Sequence, residues 1–525
     1  MPDITIIYNQ KQQTFSCKNG TNLLLFLQQN RIPIQAPCAG NGTCGKCKVT
    51  MTISGKSSTV SACQTILEQD CIVELLSSSL IPDQEAGSGT QTSASSACDW
   101  NYGIAVDLGT TTVISALVSL DTGQVLDVRK EWNSQISYGS DVISRLKYIQ
   151  DHSNGLSLLS DLIQRQILDM MDQQCKKAGI SSTRIKNIVI AGNTIMQHIF
   201  AKVDPSPLAA APYIPNTLFR DEDSFVFPIF ENIDVHFFPC ISAFIGGDIT
   251  AGLLSSELPE KEGTYLFLDI GTNGEMAIGG KDGFITCSTA SGPAFEGAQI
   301  QCGMTGNPGA INHVNWIETQ CKFQLQVIGN TIPVGICGSG LVDLTAVLLD
   351  IGILEKNGHL LSFSETKKRL SHLTFSRLKH SLGYRFLEDD KNGNGLFYLS
   401  HQPELYLSQE DIRNIQVAKA AIAAGIRVLL QRAKKSLYEI DGLYIAGGFG
   451  KSLNAENAAK IGMIPYELTD RITCIGNSSL AGAIRLLLHP NEFDNSKNIT
   501  TQCAYIELAD DPVFRNEFIQ QMDFT

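Results

Sequence analysis

The chain has 525 residues, with 40 Lys plus Arg against 53 Asp plus Glu and a formal net charge of −13 at pH 7. Hydrophobic residues make up 43% and charged residues 18%, an ordinary globular composition that excludes a disordered or fibrous chain. The acidic surplus and the lack of a Lys/Arg-rich run argue against nucleic acid as a partner. No apolar stretch of about 18 residues is present to span a membrane, and the start, MPDITIIYN, lacks the basic-then-apolar layout of a signal peptide. The length suggests about three or four domains, and the expected location is the cytoplasm.

Residues 1 to about 80 read as strands over 4–9, 14–17, 46–54 and 71–76 around an apolar helix over 22–29. The chain has 15 cysteines, and with no export signal they do not read as a disulfide framework. Cys38, Cys44, Cys47 and Cys63 form C-x5-C-x2-C-x15-C, set in PCAGNGTCGKC with glycines at 40, 42 and 45. An iron–sulfur cluster needs several thiolates converging on a compact site, and a tight loop achieves this only where small residues let the backbone wrap inward. Zinc is the rival, although its sites pair two short knuckles and here the fourth cysteine stands alone. Buried structural thiols are the third reading. Cys17 and Cys71 lie in strand runs and read as core thiols. No acidic residue occurs between Asp3 and Glu68, while Lys46 and Lys48 flank Cys47; this suits docking within a dedicated electron-transfer complex and equally a solvated face. Residues 86–97, AGSGTQTSASSA, have nothing to bury and read as a flexible tether on the order of 20 Å long.

From residue 102 onward, apolar β-rich runs end in Asp-x-Gly-Thr turns separated by helical runs over 156–178 and 412–437. GIAVDLGTTT, residues 103–112, leads a strand into a turn where Gly109, Thr110 and Thr111 can offer N–H and hydroxyl groups to phosphate. LFLDIGTNGE, residues 266–275, repeats that spacing about 160 residues later with Gly271, Thr272 and Asn273 in its turn, which suggests two related lobes. Asp107 and Asp269 are candidates to hold Mg²⁺ through waters and to position the attacking water, and Glu275 is the third catalytic candidate. LYIAGGFG, residues 443–450, leads a strand into Gly447, Gly448 and Phe449, where missing side chains would let a flat base lie against the backbone. In GICGSG, residues 335–340, Gly338 is either phosphate-facing or part of a plain helix start. Each motif alone also reads as a glycine turn. Cys287, Cys302, Cys321 and Cys337 lack ligand-like spacing and read as core thiols, and His198 as a packed histidine rather than a corrinoid ligand. A closing strand over 504–508 and helix over 513–522 are expected on the second lobe.

The cysteine loop resembles the C-x5-C-x2-C variants of the 2Fe–2S ferredoxin fold, which implies Cys38, Cys44, Cys47 and Cys63 as cluster ligands. DLGTTT, DIGTNGE and AGGFG, in that order, resemble the phosphate 1, phosphate 2 and adenosine motifs of the actin, heat-shock chaperone and sugar-kinase ATPase superfamily. Runs 414–425 and 476–482 resemble its small-residue hinge helices. Together with NSQISYGSDVISRL (133–146), SGPAFEG (291–297) and YIEL (505–508), the arrangement resembles the reductive activators of corrinoid enzymes. That resemblance implies a multidomain chain of α/β and α+β class. A β-grasp ferredoxin domain would occupy 1–85, a linker 86–100, and a two-lobed actin-like (ribonuclease H-like) ATPase domain 101–525.

The resemblance further implies a 2Fe–2S cluster, ATP and Mg²⁺ as cofactors. The implied partners are an electron donor protein and a corrinoid protein of a methyltransferase or O-demethylase system; the oligomeric state stays open, a homodimer included. The implied activity is ATP-dependent reduction of Co(II) corrinoid to Co(I). Plant-type clusters lie near −400 mV, so an adverse gap of about 100–150 mV costs roughly 2–4 kcal/mol, within reach of coupling through lobe closure. The rival classes are activators of another low-potential enzyme, such as a radical-type dehydratase, and a small-molecule kinase with a regulatory cluster. The dehydratase activators usually bind a 4Fe–4S cluster across a dimer, which this cysteine pattern does not provide. Because only 86–100 separates the two parts, the small middle domain of some family members is expected to be missing.

Overall fold

A computed structural model of the chain describes residues 1–8, 11–30, 32, 34, 47–75, 101–139, 141–221, 225–320, 322–382, 387–390, 393, 395–401 and 404–525. They form two compact units, residues 1–251 with 479–496 and residues 252–478 with 497–525. Cys38, Cys44, Lys46, Cys321 and the expected tether fall outside the described residues.

The first unit holds two five-stranded sheets. In one, the spatial order is Lys11–Ser16, Asp3–Tyr8, Cys71–Leu75, Lys48–Ile53, Lys56–Ser61. Its two central strands pair in parallel, Ile4 opposite Cys71, while the other pairs are antiparallel. The helix Leu23–Gln29 buries Leu23, Leu24, Phe26 and Leu27 in the same core. This is the expected β-grasp arrangement, with a fifth strand in the sheet and a separate two-residue pair, Thr21–Asn22 with Ile66–Leu67, that the sequence does not suggest. Lys56–Ser61 reads KSSTVS and is exposed on both faces along most of its length, so it carries no apolar alternation. It forms because Ser54 and Gly55 both adopt positive φ, 48° and 79°, the paired left-handed residues of a tight hairpin turn.

The other sheet of this unit has the order Val125–Trp132, Thr112–Ser119, Tyr102–Leu108, Ile185–Gly192, Asp234–Phe237. Tyr102–Leu108 sits at its centre and is buried almost throughout. The helix Gly155–Ala178 contributes Leu159, Ile163, Ile167 and Met170 to the same core at helical spacing, within a residue of the expected 156–178. The returning segment completes the unit: Gly482, in helix Ser478–Leu488, lies so close to Ala251 that a Cβ would sit 2.3 Å from its carbonyl oxygen.

The second unit repeats the plan. Its largest sheet runs Ile472–Gly476, Gly442–Ala446, Tyr265–Ile270, Gly274–Gly280, Gly283–Thr289, Cys503–Ile506. In both units, three successive antiparallel strands are followed by two parallel ones laid beside the first, so the two lobes inferred from the repeated motif share one topology. The long helix Gln409–Ala433 brings Gly425 against Met276 and Thr289. The closing strand pairs in parallel with Gly283–Thr289 and is followed by helix Pro512–Gln520, as expected for 504–508 and 513–522. Phe524 is buried, and Lys419 Nζ donates to the Asp523 carbonyl at 2.5 Å. Among the described residues no helix is long and apolar enough to cross a membrane.

Candidate functional site

The unexpected hairpin explains the last spacing of the cysteine motif. With Lys48 opposite Ser61, the residues just outside its open end must meet, and the Ala62 N–H donates to the Cys47 carbonyl at 2.9 Å. Cys63, in the short turn Ala62–Gln64, thereby places its Sγ 3.3 Å from that of Cys47. Both thiols are buried and free of disulfide, and Asn22 Nδ2 fixes the Cys63 carbonyl at 2.9 Å. Two converging, buried, unoxidised sulfurs fit one edge of an iron–sulfur cluster. Cys71 is different: burial, with Cys17 and Asp70 nearby, pushes its thiol up to about 11, which keeps it protonated. Cys17 is likewise buried and raised, so both are core thiols.

In the first Asp-Gly-Thr turn, every carbonyl from Gly109 to Thr111 is held from behind. Asn133 Nδ2 donates to the Gly109 carbonyl at 2.9 Å and the Asn133 N–H to that of Thr111 at 2.9 Å. Arg145 Nη2 donates to the Thr110 carbonyl at 2.5 Å. Because a trans peptide sets its N–H opposite its C=O, these bonds turn the following amide groups away from the clamp, the arrangement an anion needs. Asn193 Nδ2 donates to Thr110 Oγ1 at 2.9 Å while its Oδ1 caps the helix Thr194–Phe200 at Met196 N. Gly109 is obligatory, since a Cβ there would lie 2.4 Å from the Thr112 carbonyl. Asp107, one residue before the strand end, accepts from Ser479 Oγ at 2.9 Å.

Arg145 is fully buried. Its Nε donates to the Gly139 carbonyl at 3.1 Å and Nη1 to Gln135 Oε1 at 3.0 Å. Burial pulls the guanidinium down to about 9, opposed by the Asp141 carboxylate. The roles of Arg145, Asn133, Asn193 and Ser479 escape the sequence reading; the available signals are the runs 133–146 and 476–482, noted for resemblance without these roles.

The second turn and the glycine-rich segment meet within the other unit. Asp269 stands opposite Glu275 across the hairpin and beside Ala446 on the neighbouring parallel strand. Gly447, at φ 83°, would bring a Cβ to 3.3 Å from Asp269 Oδ1. The Gly271 N–H donates to the Asn273 carbonyl at 2.9 Å, which closes the turn. Thr272 Oγ1 donates to Glu296, and Ser291 Oγ to the Gly271 and Thr272 carbonyls at 3.5 and 3.3 Å; both residues lie in the run 291–297, noted in the sequence for resemblance without these roles. A Cβ on Gly448 would meet nothing within 4 Å, so this backbone has open space over it. The segment is not a loop, however: Gly447–Lys451 is a helical turn. Phe449 packs on Phe295, ring centroids 5.3 Å apart. Gly338 begins the helix Gly338–Asp350 and is buried against Phe449 and the Phe295 carbonyl, so close packing accounts for it.

The remaining candidates are interior groups. Cys287 and Cys337 are buried, and Cys302 is half-buried with its sulfur accepting from Tyr406 N at 3.5 Å. His198 is buried, with Nδ1 2.7 Å from the Thr194 carbonyl and Nε2 3.4 Å from Thr217 N, so Nδ1 carries the proton and the ring is neutral. Burial sets its pKa below the usual histidine value, opposed by the Thr194 carbonyl and Asp204. The unfolded chain therefore takes up the proton first, and stability is lost as pH falls through about 6.5. Urea unfolding of the intact protein is expected to weaken from about pH 7 to 5.5 by at most roughly 1.4 kcal/mol per unit for this group. His198→Gln should flatten the decline; an identical slope in the variant would assign it elsewhere.

Residues 6–68 match the 2Fe-2S iron-sulfur cluster binding domain, 102–261 the RACo middle region, and 263–525 the C-terminal domain of RACo, the ASKHA domain. The corrinoid activation enzyme RamQ of Eubacterium limosum is 33% identical over 431 residues, covering 81% of this chain and 70% of that protein. The chain belongs to the RACo family. A second relative, the [Co(II) methylated amine-specific corrinoid protein] reductase of Methanosarcina barkeri, is 25% identical over 460 residues, covering 81% of this chain and 77% of that protein. The solved structure of a reductive activator for corrinoid, iron-sulfur protein superposes with a TM-score of 0.70 at 28% identity, covering 100% of this chain and 98% of that one. RACo membership gives the chain an iron–sulfur domain and an ATP-binding ASKHA fold. It also corrects one expectation: the middle region is present, as residues 102–261. It is easily missed because it includes the first Asp-Gly-Thr turn and reads as the first lobe.

Proposed function

We propose that this RACo-family protein uses ATP to drive one-electron reduction of a Co(II) corrinoid to Co(I) on a corrinoid protein of a methyltransferase or O-demethylase system. The observation that carries this reading is the presence in one chain of two buried thiols 3.3 Å apart and two Asp-Gly-Thr turns on hairpins of like topology. The relatives' names, a corrinoid activation enzyme and a reductase of a Co(II) corrinoid protein, support it.

In this reading, Cys38, Cys44, Cys47 and Cys63 hold a 2Fe–2S cluster, which when bound supplies a low-potential electron. The turns at Gly109, Thr110 and Thr111 and at Gly271, Thr272 and Asn273 receive phosphates through N–H and hydroxyl groups. Asp107 and Asp269 hold Mg²⁺ through waters, and Glu275, facing Asp269 across the hairpin, takes the proton of the attacking water. Gly447, Gly448 and Phe449 form the floor for the base, with Gly338 packed beneath. The domains divide at 1–85, 86–100 and 101–525, and the protein works in the cytoplasm with a separate electron donor.

The test is anaerobic absorbance spectroscopy of a Co(II) corrinoid protein from the same host, mixed with the chemically reduced protein with and without Mg-ATP. A Co(I) band growing only with ATP is expected. No Co(I) with any corrinoid protein of the host, despite measurable ATP hydrolysis, would redirect the search to another low-potential acceptor. Asp269→Asn should lower both ATP turnover and Co(I) formation by about 100-fold; both rates intact would remove Asp269 from the catalytic set.

A further inference from the structure

Residues 291–297 touch three parts of the nucleotide corner at once. Glu296, in the short turn Ala294–Glu296, accepts the Thr272 hydroxyl at 2.5 Å. Ser291 reaches the carbonyls of the same turn. Phe295 packs on Phe449, and its carbonyl lies 2.1 Å from where a Cβ on Gly338 would stand. Gly297, at φ 82°, is closed against the Met304 backbone, 2.5 Å from its Cβ position. A segment packed this tightly passes a displacement on instead of absorbing it.

A threonine hydroxyl has one proton to donate. Glu296 and a phosphate oxygen at the turn are both acceptors and both anionic, so they cannot share that proton, and at a hydroxyl's separation they repel each other. Resting on the nucleotide reading above, we propose that Glu296 is a positioning residue that yields the Thr272 proton to the terminal phosphate of ATP. The placement of 291–297, and through it the start of Gly338–Asp350 and the turn Gly447–Lys451, then follows the identity of the bound nucleotide. Glu296 touches neither base nor reacting water in this scheme; it converts the presence of one phosphate into a shift of a neighbouring segment.

Amide hydrogen exchange of the full chain, alone and with a non-hydrolysable Mg-ATP analogue or Mg-ADP, tests this through peptides covering 269–276 and 291–300. In the unsubstituted protein, the triphosphate should slow exchange at 269–276 and change it several-fold at 291–300, whereas ADP should leave 291–300 unaltered. Glu296→Ala should keep nucleotide protection at 269–276 but exchange at one rate over 291–300 whatever is bound. Glu296→Gln, which retains an acceptor without the charge, should respond weakly, and Thr272→Ser, which retains the proton, should respond fully. A full response in Glu296→Ala, or equal responses to ADP and the triphosphate, would overturn the proposal. Protection at 269–276 with no response at 291–300 in the unsubstituted protein would overturn it alone, while no protection at either place would overturn the nucleotide reading and this proposal with it.

Discussion

Replacing Arg145 with alanine is expected to cost the first unit about 3–5 kcal/mol of stability and to weaken nucleotide binding in the fraction that stays folded. The side chain is fully buried, so its removal opens a cavity and strips donors from the carbonyls of Thr110 and Gly139 and from Gln135 Oε1. Buried acceptors left without partners cost about 1–3 kcal/mol each, partly recovered if water enters. The loss falls on the turn itself, because the Thr110 carbonyl is one of the three that orient the amides behind it. Arg145→Lys should recover only part of the deficit, since a single ammonium cannot span three acceptors in the geometry of a planar fork. Urea unfolding monitored across the chain, with nucleotide titration calorimetry below the unfolding transition, measures both effects. Unchanged stability in Arg145→Ala would show that the clamp is dispensable.

The second large effect is expected at the cysteines. Cys63→Ala should abolish the visible absorbance of the cluster and ATP-dependent Co(I) formation together, while nucleotide binding in the ASKHA part continues. Cys71→Ala, a change at an equally buried sulfur, should leave the cluster spectrum intact and cost only packing, on the order of 1 kcal/mol. The contrast follows from placement: Cys63 meets Cys47 at the open end of a hairpin, whereas Cys71 is raised to about 11 within a central strand. A cluster that survives Cys63→Ala and is lost with Cys71→Ala would reassign the ligands.

What the sequence made legible depended on how local the signal was. Gly155–Ala178 repeats apolar residues at the helical period, and the strands carrying Asp107 and Asp269 are continuous apolar runs ended by Asp-x-Gly-Thr turns, so their positions follow directly. Lys56–Ser61 has no such period because both of its faces are solvated, so only its turn chemistry at Ser54 and Gly55 could betray it. Glycine's poor helix propensity hides the helical turn Gly447–Lys451, which the end of the strand Gly442–Ala446 imposes. The clamp residues are hidden for another reason. Asn133, Arg145 and Asn193 act on backbone or hydroxyl atoms 24, 35 and 83 positions away, and Ser479 reaches Asp107 across 372. No spacing rule operates at those separations, whereas the four-cysteine motif is compact enough for spacing to speak.

The interleaving of the two units governs when the protein can assemble on the ribosome. The first unit needs residues 479–496 and the second needs 497–525, including the strand Cys503–Ile506 that borders the second sheet. Neither can close before those segments have been made, although domains commonly fold as they emerge. Ser479, the residue that holds Asp107, is translated long after the turn it completes. A nascent chain therefore carries both Asp-Gly-Thr hairpins, complete by residue 280, without a finished ATPase until Ser479 and the residues after it have been made. The ferredoxin-like sheet, by contrast, is built wholly from residues 3–75 and can form first. Order of synthesis thus separates the ferredoxin-like sheet from the finished two-unit part until residues 479–525 are in place.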